Sequence, residues 1–290
     1  MEINMAFKQT LGNLRRLFSG TESQIDTGSL EAKVIAVTAQ KGGVGKTTTA
    51  VHLAAGLSLF HNRRVLLIDM DAQGHVGKSL SRDLPDAPHA ESLGQILIQK
   101  NRDLYELARP TQIPELWLIP SDRELNDTET RISTRIGKEL LLRQAIPIAR
   151  THFEVIVIDC PPNLGNLTIN ALVAADYALI PCDMSILSLD GVSSILETIS
   201  TVKDMLNPSL QLLGLVRTRF DRRNQTMNRA IEDNLQAQYG ELLLQSTIGT
   251  STAIAKAQLA GCTVFHCAPK NASAQSYRAL AAEIEHRLFG

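Results

Sequence analysis

The chain has 290 residues, of which 44% are hydrophobic and 20% charged, with a formal net charge of −1. That length and apolar content allow one large α/β domain or two small ones. The near-zero charge gives no global attraction for nucleic acid, so any such surface has to be a local patch.

No apolar run approaches the roughly 18–20 residues that a bilayer span needs. The opening stretch is broken by Lys8, Arg15 and Arg16 and does not read as a secretory signal. Four cysteines, Cys160, Cys182, Cys262 and Cys267, show no paired framework, which predicts reduced thiols in a cytoplasmic protein.

In chain order, residues 1–31 read as an extension and residues 32–290 as one domain. Phe7, Leu11, Leu14 and Phe18 share a helical stripe, with Leu17 beside it and the basic residues elsewhere. Such a segment suits a membrane surface or a partner groove; a frayed tail or a helix packed on its own domain is the plainer reading. Gly20-Thr21-Glu22-Ser23-Gln24 and Asp26-Thr27-Gly28-Ser29 have linker composition.

From there β-rich runs alternate with helical patterns. Strands are predicted at 34–37, 65–68, 155–158, 177–180 and 212–216, and helices at 47–60 and 192–205. Several of these strands are apolar on both faces, the mark of a sheet covered by helices on both sides. The alternation predicts a doubly wound α/β domain with a mostly parallel sheet and its ligand at the carboxyl ends of the strands.

The first strand runs into Lys41-Gly42-Gly43-Val44-Gly45-Lys46-Thr47-Thr48, and a helix follows. This is the context of a phosphate loop. The glycines let backbone N–H groups converge on phosphate oxygens, and the helix N-terminus adds partial positive charge. Lys46 brings a full charge to the β- and γ-phosphates, and the Thr47 hydroxyl can ligate Mg²⁺. The position six residues before that lysine, usually glycine, is Gln40, and a second lysine, Lys41, precedes the double glycine. Two further strands end in carboxylates: residues 65–68 run into Asp69 and Asp71, and residues 155–158 into Asp159, Cys160, Pro161 and Pro162.

This deviant Walker A loop resembles that of the ParA/MinD family of P-loop ATPases. The Pro-Pro-Asn-Leu-Gly stretch after Asp159, Ile180-Pro181, Ser188-Leu189-Asp190-Gly191, the run from Leu215 to Asp221 and the closing helix of residues 277–285 place the resemblance nearer the ParA/Soj branch. The resemblance implies slow, partner-stimulated ATP hydrolysis with Mg²⁺. Lys46 and the loop would hold the nucleotide, Asp159 would be the Walker B carboxylate, Asp71 would position the attacking water, and Asp69 would support the metal or the loop. Ala72 stands where the family often has proline.

Lys41 would cross to the nucleotide of a second copy, so that ATP supports a homodimer. Thr218 and Arg219 would lie at a strand end near the base or ribose. The expected role is partition or positioning of DNA or a protein cargo, with a ParB-like or cargo adaptor as partner, in the cytoplasm or on the nucleoid. Two rivals are a nucleotide-gated adaptor with negligible turnover, recruited to membrane by the extension, and a metabolic or metallocluster ATPase of the same fold.

The region 248–257 departs from the family's DNA-binding pattern, because the basic residues are largely absent. Arg217, Arg219, Arg222, Arg223 and Arg229 form a basic cluster that would supply phosphate contacts, or else a solvated face. Cys262, His266 and Cys267 lie in a β-prone stretch with no second cluster beside them, which predicts a core or strand role and no metal. Cys160 reads as a small buried residue, and Trp117 with the few tyrosines makes no stacking platform.

Overall fold

The computed structural model describes residues 30–84, 92–99, 101–184, 186–220 and 225–290, with side chains at 186–190 and 225–230 left out. The predicted stripe of Phe7, Leu11, Leu14 and Phe18 lies outside the described residues, as do Arg222 and Arg223.

The elements in order are β1 (Lys33–Val37), α1 (Lys46–His61), β2 (Val65–Asp69), α2 (His75–Ser79), α3 (Leu93–Ile98), β3 (Arg109–Pro110), β4 (Leu116–Ile119), α4 (Glu124–Ile132), α5 (Leu141–Ala145) and α6 (Pro147–His152). They continue with β5 (Val155–Asp159), α7 (Asn166–Ala174), β6 (Tyr177–Asp183), α8 (Ile186–Met205), β7 (Gln211–Phe220), α9 (Gln225–Tyr239), β8 (Leu243–Gly249), α10 (Thr252–Leu259), α11 (Val264–Cys267) and α12 (Ala272–Phe289).

Among the described residues one eight-stranded sheet forms, in the order β3-β4-β2-β5-β1-β6-β7-β8. Only the short β3–β4 pair is antiparallel. The predicted fold class is therefore the observed one. Its two apolar faces follow from the pleat. Val34, Ala36, Leu66, Ile68, Ile156 and Ile158 face one core with α3 to α7. Ile35, Val37, Val65, Leu67, Val155 and Val157 face the other, with α1 and α12. All five positions of β2 and of β5 are buried, as the unbroken apolar runs required.

All five predicted strands and both predicted helices form. The strands β3, β4 and β8 were not predicted, and two predicted strands run further than expected. β6 continues through Pro181 to Asp183, and β7 continues to Phe220. Those extensions matter, because they carry side chains to the carboxyl edge. The chain moves from β1 out to β2 and later returns across β1 to β6, so a crevice opens at the end of β1.

Candidate functional site

The crevice is built by the ends of β1, β2, β5, β6 and β7. Beyond Val37 the chain enters the glycine loop, where Gly43 and Gly45 have φ of 76° and 91°. A Cβ on Gly45 would meet nothing within 4 Å, so the glycine answers the left-handed backbone and leaves the mouth open to a ligand. α1 then starts at Lys46 with no side-chain cap and no acidic residue in its first turn. Its leading N–H groups and the positive end of its dipole face the crevice.

Lys46 is buried, and its ammonium donates to the Lys41 carbonyl at 3.1 Å. Burial lowers its pKa, with Asp159 first among the groups opposing that shift. Asp159 ends β5, is fully buried, and neither of its oxygens holds a hydrogen bond of ordinary geometry. Burial pushes its carboxyl up to about 7; the nearby Thr47 hydroxyl and Lys46 act against the rise, and Asp71 adds to it. A buried carboxylate with two unpaired oxygens calls for a cation.

The donor set of Asp159 and Thr47 is hard oxygen, which suits Mg²⁺. Among the described residues no group of three or more His, Cys, Asp or Glu side chains chelates a metal unaided.

Asp69 pairs in register with Asp159 on the neighbouring strand. Its Oδ1 accepts from Asp71 N at 3.0 Å and its Oδ2 from Val76 N at 3.2 Å. Asp69 thereby shapes the turn that carries Asp71. Burial raises its pKa well above the usual range, and Asp159 adds to the shift. Asp71 is half-buried and accepts from Gln73 N at 3.0 Å.

Asp183 is the site residue that sequence reasoning missed. It ends β6, and the Lys41 ammonium rests on it at 3.1 Å. The signal was present, since Asp183 is another acid after an apolar strand, but Pro181 ended the predicted strand early.

Thr218 and Arg219 do lie at a strand end, and their side chains brace the phosphate loop itself. The Thr218 hydroxyl donates to Val44 O at 2.7 Å and the Arg219 guanidinium to Gly43 O at 2.9 Å. Arg217 departs from the predicted basic face. It pairs with Glu232 at 2.6 Å and donates to the carbonyls of Leu244 and Gln245, so its charge is spent inside the fold. The Arg229 side chain lies outside the described ones.

A C-terminal layer grips the same turn of α1. Gln258 Nε2 donates to Thr48 Oγ1 at 3.0 Å. His52 bonds Thr48 O through Nδ1 at 2.7 Å, and its Nε2 accepts from Val264 N at 3.1 Å. Its ring stacks on Tyr277 with centroids 4.5 Å apart. Burial holds the His52 pKa down at about 4, so the ring is neutral, with Nδ1 the donor.

The expectation of four reduced thiols fails here. Cys262 and Cys267 form a disulfide, with Cα atoms 6.4 Å apart. A strand would hold residues five apart at roughly 16 Å; the α11 turn after Thr263 folds the segment back instead. Cys160 and Cys182 are buried and lie outside that disulfide.

The family model described as "AAA domain" matches residues 32–212. The chain is 33% identical to the chromosome partitioning protein ParA of Myxococcus xanthus, covering 88% of each protein. It is also 33% identical to the sporulation initiation inhibitor protein Soj of Bacillus subtilis, over 87% of this chain and 98% of that one. Among solved structures, cobyrinic acid a,c-diamide synthase from Mycobacterium smegmatis with bound ATP analog and magnesium matches at TM-score 0.74 and 33% identity, over 89% of this chain and 97% of that one. With its deviant loop and strand-end carboxylates in place, the chain belongs to the ParA/MinD family of P-loop ATPases, on its ParA/Soj side.

Proposed function

We propose that this chain is an ATP-dependent dimerising ATPase, a switch that partitions or positions DNA or a protein cargo. The observation that carries the reading is a buried lysine, Lys46, within electrostatic reach of a buried carboxyl whose oxygens hold no hydrogen bond of ordinary geometry, Asp159, beside a glycine loop that has a second lysine at its mouth. In this reading the loop N–H groups and Lys46 bind the β- and γ-phosphates of ATP. Thr47 and Asp159 hold Mg²⁺, which would offset charge on the phosphate oxygens. Asp71, on the turn shaped by Asp69, orients the attacking water. Thr218 and Arg219 keep the loop carbonyls of Val44 and Gly43 turned away from the phosphates.

Lys41 supplies the link to a second copy. Its reach across a dimer requires release from Asp183, which it pairs with in the single chain. Loss of the γ-phosphate then removes what both copies grip. The name of the Myxococcus xanthus relative, a chromosome partitioning protein, supports a partition role; a ParB-like or cargo adaptor would be the stimulating partner. Nucleoid DNA as the working surface rests on Arg219, Arg222, Arg223 and Arg229, since Arg217 is committed internally.

Sizing chromatography with and without Mg·ATP, paired with a turnover assay, tests the switch. Asp71→Ala should dimerise with ATP while turnover falls by about 10²–10⁴. Lys46→Ala should lose nucleotide-dependent dimerisation. A dimer that ignores nucleotide in every variant rejects the switch. A second reading, ATP-driven synthesis of cobyrinic acid a,c-diamide, takes its support from the name of the Mycobacterium smegmatis protein. Turnover that rises with cobyrinic acid and an ammonia source, and not with DNA or an adaptor, would favour it.

A further inference from the structure

Resting on the nucleotide site above, we propose that Cys262–Cys267 is a redox-controlled site. Closed as a disulfide, it holds the nucleotide-binding turn of α1 in place; opened by a dithiol reductant, it loosens that turn and weakens ATP binding.

The disulfide closes a loop around Val264, and the Val264 N–H donates to His52 Nε2 at 3.1 Å. The other ring nitrogen holds Thr48 O at 2.7 Å, in the first turn of α1. Two bonds therefore separate the stapled loop from the phosphate site. A second path runs beside the first. Cys262 N donates to Ala257 O and Gly261 N to Gln258 O, both at 3.1 Å, and the Gln258 side chain holds the Thr48 hydroxyl.

The same loop also reaches the opposite wall of the crevice. Gly261 O accepts from Arg82 N at 3.0 Å, in the turns that follow Asp71 and α2. A Cβ on Gly261 would fall 2.2 Å from Ser81 Oγ, so the two segments are closely packed. One short staple thus sits where the phosphate helix and the Asp71 segment both meet the C-terminal layer. Restricting its freedom restricts both walls before nucleotide arrives, which lowers the ordering cost of binding.

The sulfurs are arranged for exchange. Cys262 is buried and Cys267 exposed. A dithiol's thiolate attacks the Cys267 sulfur, breaks the S–S bond and expels the Cys262 thiolate, which takes up a proton. The reductant's second thiol then attacks its own sulfur in the mixed disulfide and releases Cys267 as a thiol. The protein gains two electrons and two protons, and the dithiol becomes a disulfide. The reverse reaction needs a disulfide oxidant such as oxidised glutathione. The other described cysteines, Cys160 and Cys182, are buried, so they do not compete.

The test compares wild type, treated with oxidised glutathione or with dithiothreitol, in titrations with a fluorescent ATP analogue and Mg²⁺. Alkylation under denaturing conditions, read by mass spectrometry, counts free thiols: two after oxidation and four after reduction. The oxidised form should bind about threefold or more tightly than the reduced form, as expected for a pre-ordered site. Cys267→Ser should bind like the reduced form under both treatments.

Four free thiols after oxidation, equal affinity in the two states, or a redox effect that persists in Cys267→Ser would each overturn the proposal. Loss of binding in both states would reject the nucleotide reading itself, and the thiol count separates that failure from the others. If Cys267→Ser does not fold, the wild-type comparison decides.

Discussion

At the scale of the residue, Asp159 sets a cost that a cation relieves. Its carboxyl is raised from 3.8 to about 7 by burial. Between those values the native state holds a proton that the unfolded chain has released, so stability falls as pH rises through the window. Asp69 shifts in the same direction. His52 has the opposite sign. Held at about 4 from 6.5, it loses stability as pH falls through that range. Above pH 6.5 the carboxylates therefore act without His52 opposing them.

Thermal melts of the nucleotide-free protein should decline as pH rises from about 6.5 through about 7 and level off above that, and Mg·ATP should flatten the decline. Asp159→Asn should gain a few kcal/mol at pH 8 while losing its stabilisation by Mg·ATP. A flat wild-type profile, or a less stable Asp159→Asn, would reject this electrostatic picture. The roles proposed for Lys46, Thr47, Asp71 and Asp159 were legible because loop and strand ends carry chemistry in a fixed order. The contacts of Thr218 and Arg219 were not, since a strand end does not reveal which carbonyl a side chain will brace.

At the scale of the element, continuous apolar runs announced β1, β2 and β5, while the edges of the sheet stayed hidden. β4 is only Leu116–Ile119, and β3 is two residues ending in Pro110. β8 carries Gln245, Ser246 and Thr247 among its apolar residues and reads as neither alternation nor an apolar run. It survives as an edge because side chains occupy its backbone. The two Glu283 carboxylate oxygens accept from Gln245 N and Ser246 N at 2.8 Å, and Arg217 serves the Leu244 and Gln245 carbonyls. An edge strand so covered does not template pairing with another chain. Glu283→Ala removes charge-assisted bonds worth about 1.5–3 kcal/mol and bares two donors. Urea unfolding should register a loss in that range, and light scattering should show earlier aggregation on warming. Unchanged stability and scattering would mean that the guard contributes nothing.

At the scale of the whole molecule, the single chain and the proposed dimer would compete for one ammonium. Lys41 rests on Asp183 at 3.1 Å, with side chains 36% and 13% exposed. A pair that exposed is worth only about 0–1 kcal/mol. In the proposed dimer a triphosphate on a facing copy, with several charges, would outweigh that easily, and Asp183 would act as a light latch. Two such pairs would open per dimer, so Asp183→Asn should strengthen ATP-analogue-dependent dimerisation by no more than about thirtyfold, the equivalent of ~2 kcal/mol. Lys41→Ala should abolish the gain in the double variant, because nothing is left to release. Sedimentation equilibrium with a non-hydrolysable ATP analogue measures both, and analogue binding at low protein concentration separates tighter dimers from tighter nucleotide. A dimer constant unchanged by Asp183→Asn would mean that the latch carries no energy. A gain that persisted without Lys41 would assign the effect to the local field of Asp183 on the phosphates and leave Lys41 outside the switch.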